Sequence, residues 1–399
     1  MKKNLCTFLT LLVIGICLAT LTGVAEVVAA EEEIIPIGAI LGLSGASATY
    51  GIPGLHGVEM AVEEINGGGG FSIGGKTYKF ELFSADNKYT VDGGRAAAEK
   101  FLYQKKGKFI ASCNSSGGVL GLQEVTEPAK VLAFHTVIAR QTVSPKKPYS
   151  FRVMLLSDEN SIPLMTKLKE FYPKAKTIAF VAPNAPHGRG TVDREKILAK
   201  DFGWEVLGEE YYEMETAEFL PVATKMRAKR PDIIGLGCPG SSAAAQILKA
   251  LYEVGWRGIK YDSTGDHGND IVKGAGKEAA EGYLMGLDWD TSGPYASPEL
   301  RKVAKTFLEI YKEPMTYQAA CGYCGVYTIL EAMKRAKSID STAVRDTLVD
   351  MKWNSVFGPT HIGGEKSYGV KRVFVYPSII SQIQNGKSVD VARIPIESP

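Results

Sequence analysis

Histidine and cysteine are scarce here, five and six among 399 residues, and that removes much chemistry at the outset. The histidines, His56, His135, His187, His267 and His361, never fall at an H-x-x-x-H spacing, so a helix-borne zinc pair is excluded. One C-x-x-C occurs, Cys321–Cys324, without a second pair, so a four-cysteine zinc site has no support. No metal and no cofactor is therefore expected, and neither a serine-hydrolase elbow nor a P-loop. Excess charge is lacking too. Lys+Arg 46 against Asp+Glu 44 gives +2, which offers a nucleic acid nothing to hold. Past residue 30 no apolar run is long enough to span a bilayer.

What is present begins with a leader. Lys2 and Lys3 precede an apolar run from Phe8 to Ala19, and Val28-Ala29-Ala30 supplies small residues before Glu31. That order reads as a secretory signal peptide, residues 1–30, and implies an exported mature chain. Four cysteines remain, Cys113, Cys238, Cys321 and Cys324; an oxidising compartment permits a disulfide without requiring one.

Beyond the leader the chain alternates. Ile35 to Leu43 is an apolar run of the buried-strand kind, and Leu55, Val58, Val62 and Ile65 then recur at helical spacing. Strands follow near Tyr78, Phe109 and Val131, with helices between them. The count restarts after Leu155, with strands at Thr177, Glu205, Asp232, Ile259 and Gly282 separated by helices. Three helices, Pro298–Tyr311, Tyr317–Ala336 and Thr342–Met351, precede a hairpin signalled by Asn385-Gly386. The expectation is an α/β protein of two open, mainly parallel sheets, with ligand chemistry just past the strand ends.

Two motifs invite over-reading. Gly235-Leu236-Gly237-Cys238-Pro239-Gly240 spells a dinucleotide fingerprint, yet it follows a late strand and Pro239 removes a donor. It is expected to be a glycine-rich turn with a Ser241/Ser242 helix cap. Cys321 and Cys324 sit where a helix is already running and are expected to pack as small core residues. More informative are three loops after successive strands: Ser44 to Gly51, Asn114 to Gly118, and His135 to Ile138. Their hydroxyls and helix-start N–H groups suit a carboxylate or amide.

"IIPIGAILGLSGASATYG", "GVEMAVEEINGGGG" and "AGKEAAEGYLMG" resemble the leucine/isoleucine/valine-binding family of periplasmic substrate-binding proteins, over about residues 34–392. That resemblance implies two Rossmann-like lobes joined by three crossovers, the type I periplasmic-binding-protein fold. Lobe 1 would be 34–155 with 288–370, and lobe 2 would be 156–287 with 371–399. It implies a periplasmic or cell-surface binding protein, monomeric and not an enzyme. Its small ligand, an amino acid or organic carboxylate, would be enclosed by lobe closure and passed to an ABC permease in the membrane. The resemblance also places ligand contacts at Tyr50, Ser115, Ser116, Val137, Ile138, His187, Asp266 and Tyr323. Ile138 stands where a hydroxyl is usual and His187 where a phenol is usual, which shifts the expected ligand away from an α-amino acid. Alternative readings are a ligand sensor docking on a receptor, or an exported enzyme using Cys321/Cys324 or Asp266/His267.

Overall fold

A computed structural model describes residues 32–263, 268–287, 289, 291 and 293–396. The opening strand, β1 (Glu33–Leu41), places Ile37, Ala39 and Ile40 fully out of solvent on both faces, as its unbroken apolar run requires. It sits inside a nine-stranded sheet with β2 (Phe71–Ile73), β3 (Lys76–Asp86), β4 (Phe109–Cys113), β5 (Leu132–His135) and β6 (Ser150–Arg152). A second sheet of seven strands starts with β7 (Thr177–Pro183), β8 (Glu205–Tyr212), β9 (Ile233–Leu236), β10 (Ile259–Asp262) and β11 (Leu284–Leu287). The chain then returns to the first sheet as β12 (Lys352–Ser355), β13 (Gly358–Gly363) and β14 (Val373–Val375). It ends in the second as β15 (Ser378–Gln384) and β16 (Lys387–Ile394).

Both sheets carry helices on both faces. Ala48–Gly67 and Tyr317–Ala336 cover one face of the first, Val91–Lys105 and Ser116–Thr126 the other. Ala48–Gly67 and Tyr317–Ala336 meet backbone to backbone: a Cβ built on Gly57 would lie 2.0 Å from the Ala319 carbonyl oxygen. Cys321 and Cys324 lie in this packing, 1% and 2% exposed, and no disulfide joins any of the four described cysteines. Burial pushes the Cys324 thiol up to about 11, so it stays protonated and inert.

Sheet order fixes where a ligand can sit. β1 lies between β3 and β4, and β7 between β8 and β9, all parallel. Each is a switch point, where loops leaving the carboxyl ends diverge and leave a crevice. The chain passes between the sheets after β6, after β11 and after β14. The last passage spans only Tyr376 and Pro377. β14 runs parallel to β6, and β15 begins opposite Leu287, the last residue of β11. The carboxyl edges of the two sheets are thus held roughly 10 Å apart at that point, facing each other.

A buried cluster ties the first passage. Arg152 pairs with Glu159 and donates through Nη1 to the Tyr368 hydroxyl (2.8 Å), which donates to Glu159 Oε1 (2.9 Å). The Arg140 guanidinium lies 4.7 Å over the Tyr368 ring.

Three expectations change. Val373–Val375 belongs to the first sheet, so the last passage falls after 375 rather than at 370/371. The β12–β13 hairpin was not anticipated, because Lys352-Trp353-Asn354-Ser355 carries little apolar pattern. And Gly70 to Thr77, read G-F-S-I-G-G-K-T, does spell both G-x-S-x-G and a P-loop. It forms the β2–β3 hairpin instead of a strand-to-helix turn, and Lys76 pairs with Glu33 at 2.5 Å.

Candidate functional site

On the first sheet, four loops gather at the switch point. Asn114 Oδ1 accepts from the Gly42 N–H (2.8 Å), while Asn87 Nδ2 donates to the Asn114 carbonyl (2.8 Å) and to Ile40 (3.3 Å). Asn87 Oδ1 accepts from the Tyr89 N–H (2.9 Å), which holds Tyr89 at φ 60. Asp86 accepts from the Leu43 and Lys88 N–H groups at 2.9 and 2.8 Å. Burial pushes its pKa up, but the Ser44 hydroxyl and these N–H groups outweigh that, leaving it below the usual carboxylate range. These bonds tie the loops to one another and to the sheet.

Ser115 sits in this frame at φ 73, 3% exposed, capping the helix Ser116–Thr126 by accepting from the Gly118 N–H (3.1 Å). A hydroxyl donates as well as accepts, so the proton of Ser115 is left for another acceptor. Ser116 opens that helix and is half-buried. Tyr50 and Tyr89 are 57% and 53% exposed, and Ile138 is 51% exposed, whereas Val137 is buried. Large apolar groups in water beside a pre-ordered polar loop mark a surface meant to be covered. Tyr89 was missed in the sequence, since nothing in Lys88-Tyr89-Thr90 announces two left-handed residues in a row. His135 is different: as the last residue of β5 it is fully buried, burial pushes its pKa down to about 3, and it stays neutral.

The second sheet offers a matching edge. His187 lies in the first turn of the helix Pro186–Asp201, half-buried, with its pKa lowered by burial. Arg189 Nε donates to Asn184 Oδ1 (2.8 Å), and its guanidinium lies 4.2 Å over the Tyr211 ring. Cys238 takes a left-handed φ of 58 after β9, and the buried Tyr212 hydroxyl points to the Pro239 carbonyl at 3.4 Å. Gly237 serves packing, since a Cβ there would press on Val192 and Ala182 at 2.8 and 2.9 Å. The helix after it is capped by Gly240 without a side-chain bond, not by Ser241 or Ser242. Asp266 lies outside the described residues; a described acid at this edge is the buried Asp262, close enough to raise the Tyr212 pKa further, after burial.

Tyr323 does not join the others. Its hydroxyl donates to Glu64 (2.8 Å), 14 residues beyond Tyr50 on one helix, or roughly 20 Å along its axis. The family resemblance implied a ligand contact at Tyr323, and the structure puts it at the other end of the helix pair from Tyr50. Among the described residues no group of three or more His, Cys, Asp or Glu could hold a metal, and no helix is long and apolar enough to cross a membrane.

Comparison with known proteins agrees with this geometry. A chain named Leu/Ile/Val-binding protein homolog 7 from Brucella suis is 22% identical over 337 residues, 79% of this chain and 80% of that one. A branched-chain amino acid ABC transporter periplasmic ligand-binding protein from Burkholderia xenovorans superposes with a TM-score of 0.76. It is 19% identical, over 91% of this chain and 96% of that one. An ABC-transporter solute binding protein from Rhodopseudomonas palustris, in complex with 3,4-dihydroxybenzoic acid, gives a TM-score of 0.72 at 18% identity, over 92% and 99%. The family model described as periplasmic binding protein matches residues 34–383, and so takes in nearly all of both sheets. The chain belongs to the periplasmic binding protein family.

Proposed function

We propose that this chain is the extracytoplasmic solute-binding component of an ABC importer, working in the periplasm without catalysis. It holds a small organic carboxylate or amino acid between two lobes and hands it to a membrane permease. One lobe is the nine-stranded sheet with its helices, the other the seven-stranded sheet with its own. The observation that carries this reading is the pair of facing carboxyl edges, each with a switch point, joined by three passages. A ligand touching both edges stabilises the closed arrangement by its differential affinity for it. In the first lobe the contacts are Tyr50, Ser115, Ser116, the Val137 and Ile138 backbone, and Tyr89. In the second lobe they are His187, the Cys238 loop and Asp262.

Within that class we favour an apolar or aromatic carboxylate. Tyr50, Tyr89 and Ile138 present hydrophobic area, and Ser115 and the start of its helix present donors to an anion. The Rhodopseudomonas palustris relative, solved with a dihydroxybenzoic acid, supports this choice. Mass spectrometry of the small molecules released by gentle denaturation tests it directly. An aryl or branched apolar carboxylate is expected; a sugar or a metal chelate would overturn it.

A further inference from the structure

The two sheets also touch on the side of the passages that faces away from the cleft. β12 runs antiparallel to β13, and β13 to β14, so the turn at Val356 and Phe357 stands on the same edge as the carboxyl end of β14. β15 and β16 are antiparallel as well, with Ser378 opposite Ile394, so Arg393 stands on the facing edge of the second sheet. The two edges meet there. Arg393 Nη2 donates to the Phe357 carbonyl (2.9 Å), and Nη1 donates to the Tyr295 carbonyl (3.3 Å).

Other residues are shaped around this contact. Gly358 has φ 94, and a Cβ built on it would lie 2.1 Å from Arg393 Nη2, so only glycine leaves room for the guanidinium. Tyr295 packs against the hydrophobic cluster of the second sheet, although Ser297, two residues on, donates to the Val356 carbonyl of the first (2.8 Å). Ile396, just past β16, packs in the opposite sense, against the cluster of the first sheet. The contact is not close-packed, since a cavity of ≈ 960 Å³ opens beside Tyr295, Val356, Gly358 and Arg393.

Sheet order gives the leverage. β1 and β7 lie three strands from β6 and β11 on the cleft side, whereas β13 and β16 lie one strand beyond β14 and β15 on the other. Strands are roughly 4.8 Å apart, so the arms are about 14 Å and about 5 Å long. The buried Arg152–Glu159–Tyr368 cluster, joining β6 to the second sheet's first helix, sits between the arms as a fulcrum. A rotation that brings the cleft edges about 6 Å closer parts the short arms by about 2 Å, which breaks a hydrogen bond of ordinary length. Tyr50, Tyr89 and Ile138 are more than half exposed, so the cleft is open while the far contact is made.

We infer that the contact of Arg393 and Ile396 with the first sheet is a counter-latch, which holds the cleft open and sets ligand affinity from outside the binding site. The inference rests on the closure mechanism proposed above. Ligand binding has to break the latch, so weakening it raises the closed fraction and tightens binding.

Small-angle scattering compares three mature chains without ligand: wild type, Arg393→Gln and Ile396→Ser, each shown to be folded by circular dichroism. Both variants are expected to have a smaller radius of gyration than the wild type. With benzoate as the probe, calorimetry is expected to give roughly fivefold tighter binding in Arg393→Gln, the factor that one ordinary hydrogen bond makes in an open–closed equilibrium. Local damage would weaken binding, so tightening separates a latch from a merely structural role. Ligand-free radii no smaller than the wild type's in both variants would overturn the inference, and so would benzoate binding no tighter in folded Arg393→Gln. If Arg393→Gln does not fold, Ile396→Ser decides by the same two measurements. A wild type that neither binds benzoate nor contracts with it would count against the closure reading itself, and the ligand-free radii would still decide the latch.

Discussion

Ser115 caps a helix through an oxygen lone pair, and in the proposed function its proton serves an acceptor in the cleft. Ser115→Ala removes both. A hydrogen bond to a charged group contributes about 1.5–3 kcal/mol, so affinity for the co-purified ligand should fall roughly tenfold to a hundredfold. The lost cap costs about 1 kcal/mol of stability, which denaturant titration separates from binding. Calorimetry showing unchanged affinity would remove Ser115 from the site. His187 gives a second expectation. Burial lowers its pKa, and a ligand carboxylate beside it would raise that pKa again. Binding then takes up a proton, so affinity is highest at low pH and falls as pH rises through the ligand-bound value. Benzoate titrations at about pH 5.5 and about pH 8 should differ in the wild type and agree in His187→Gln. Equal slopes in both proteins would sink the assignment.

His135 supplies the third residue-level expectation, on stability. Its pKa near 3 in the fold lies below the ordinary 6.5, so the unfolded chain takes the proton first as pH falls. The contribution is intact above about 6.5 and is lost progressively down to about 3, at about 1.4 kcal/mol per pH unit at most. Urea unfolding at about pH 6 and about pH 4 should show a smaller acid loss in His135→Leu than in the wild type. An identical loss would mean His135 is protonated within the fold.

At the scale of elements, much was legible because burial leaves its period in the sequence. Ile35 to Leu43 has to be a strand covered on both faces, and Leu55, Val58, Val62 and Ile65 have to share one helical face. Asn385 and Gly386 take φ 53 and 74, the conformation that their hairpin demands. Illegible were features set by contacts between distant segments. Tyr89 is placed by Asn87, which is itself held by Ile40 and Asn114. Tyr323 was placed in the cleft by resemblance alone, and nothing in its sequence neighbourhood says that its hydroxyl bonds Glu64 instead. Gly57 shows what the helix pair costs to disturb. A methyl there meets the Ala319 carbonyl at 2.0 Å, and overpacking of that kind costs about 1–3 kcal/mol. Gly57→Ala should therefore lower the midpoint of thermal unfolding by several degrees, with binding retained once folded. A midpoint equal to the wild type would show that the two helices part easily.

Across the whole molecule, facing edges on separate sheets make closure the expected motion. Small-angle scattering should give a smaller radius of gyration at saturation with the co-purified ligand. An unchanged radius would argue for a rigid cleft. The Arg152–Glu159–Tyr368 cluster sits at one passage, with Arg140, two residues past Ile138, lying on the Tyr368 ring. The cleft loop and the hinge are therefore in physical contact, and closure has a direct mechanical route between them.

The triple passage also means that neither sheet is a continuous stretch of chain. A single nick between residues 293 and 297 would leave β1 to β11 on one fragment and β12 to β16 on the other, each holding strands of both sheets. Neither fragment can complete a sheet alone, so the two can only fold by finding each other. The protein is in effect a split reporter by topology: cut at that one place, recovery of ligand binding would itself record that the halves have met.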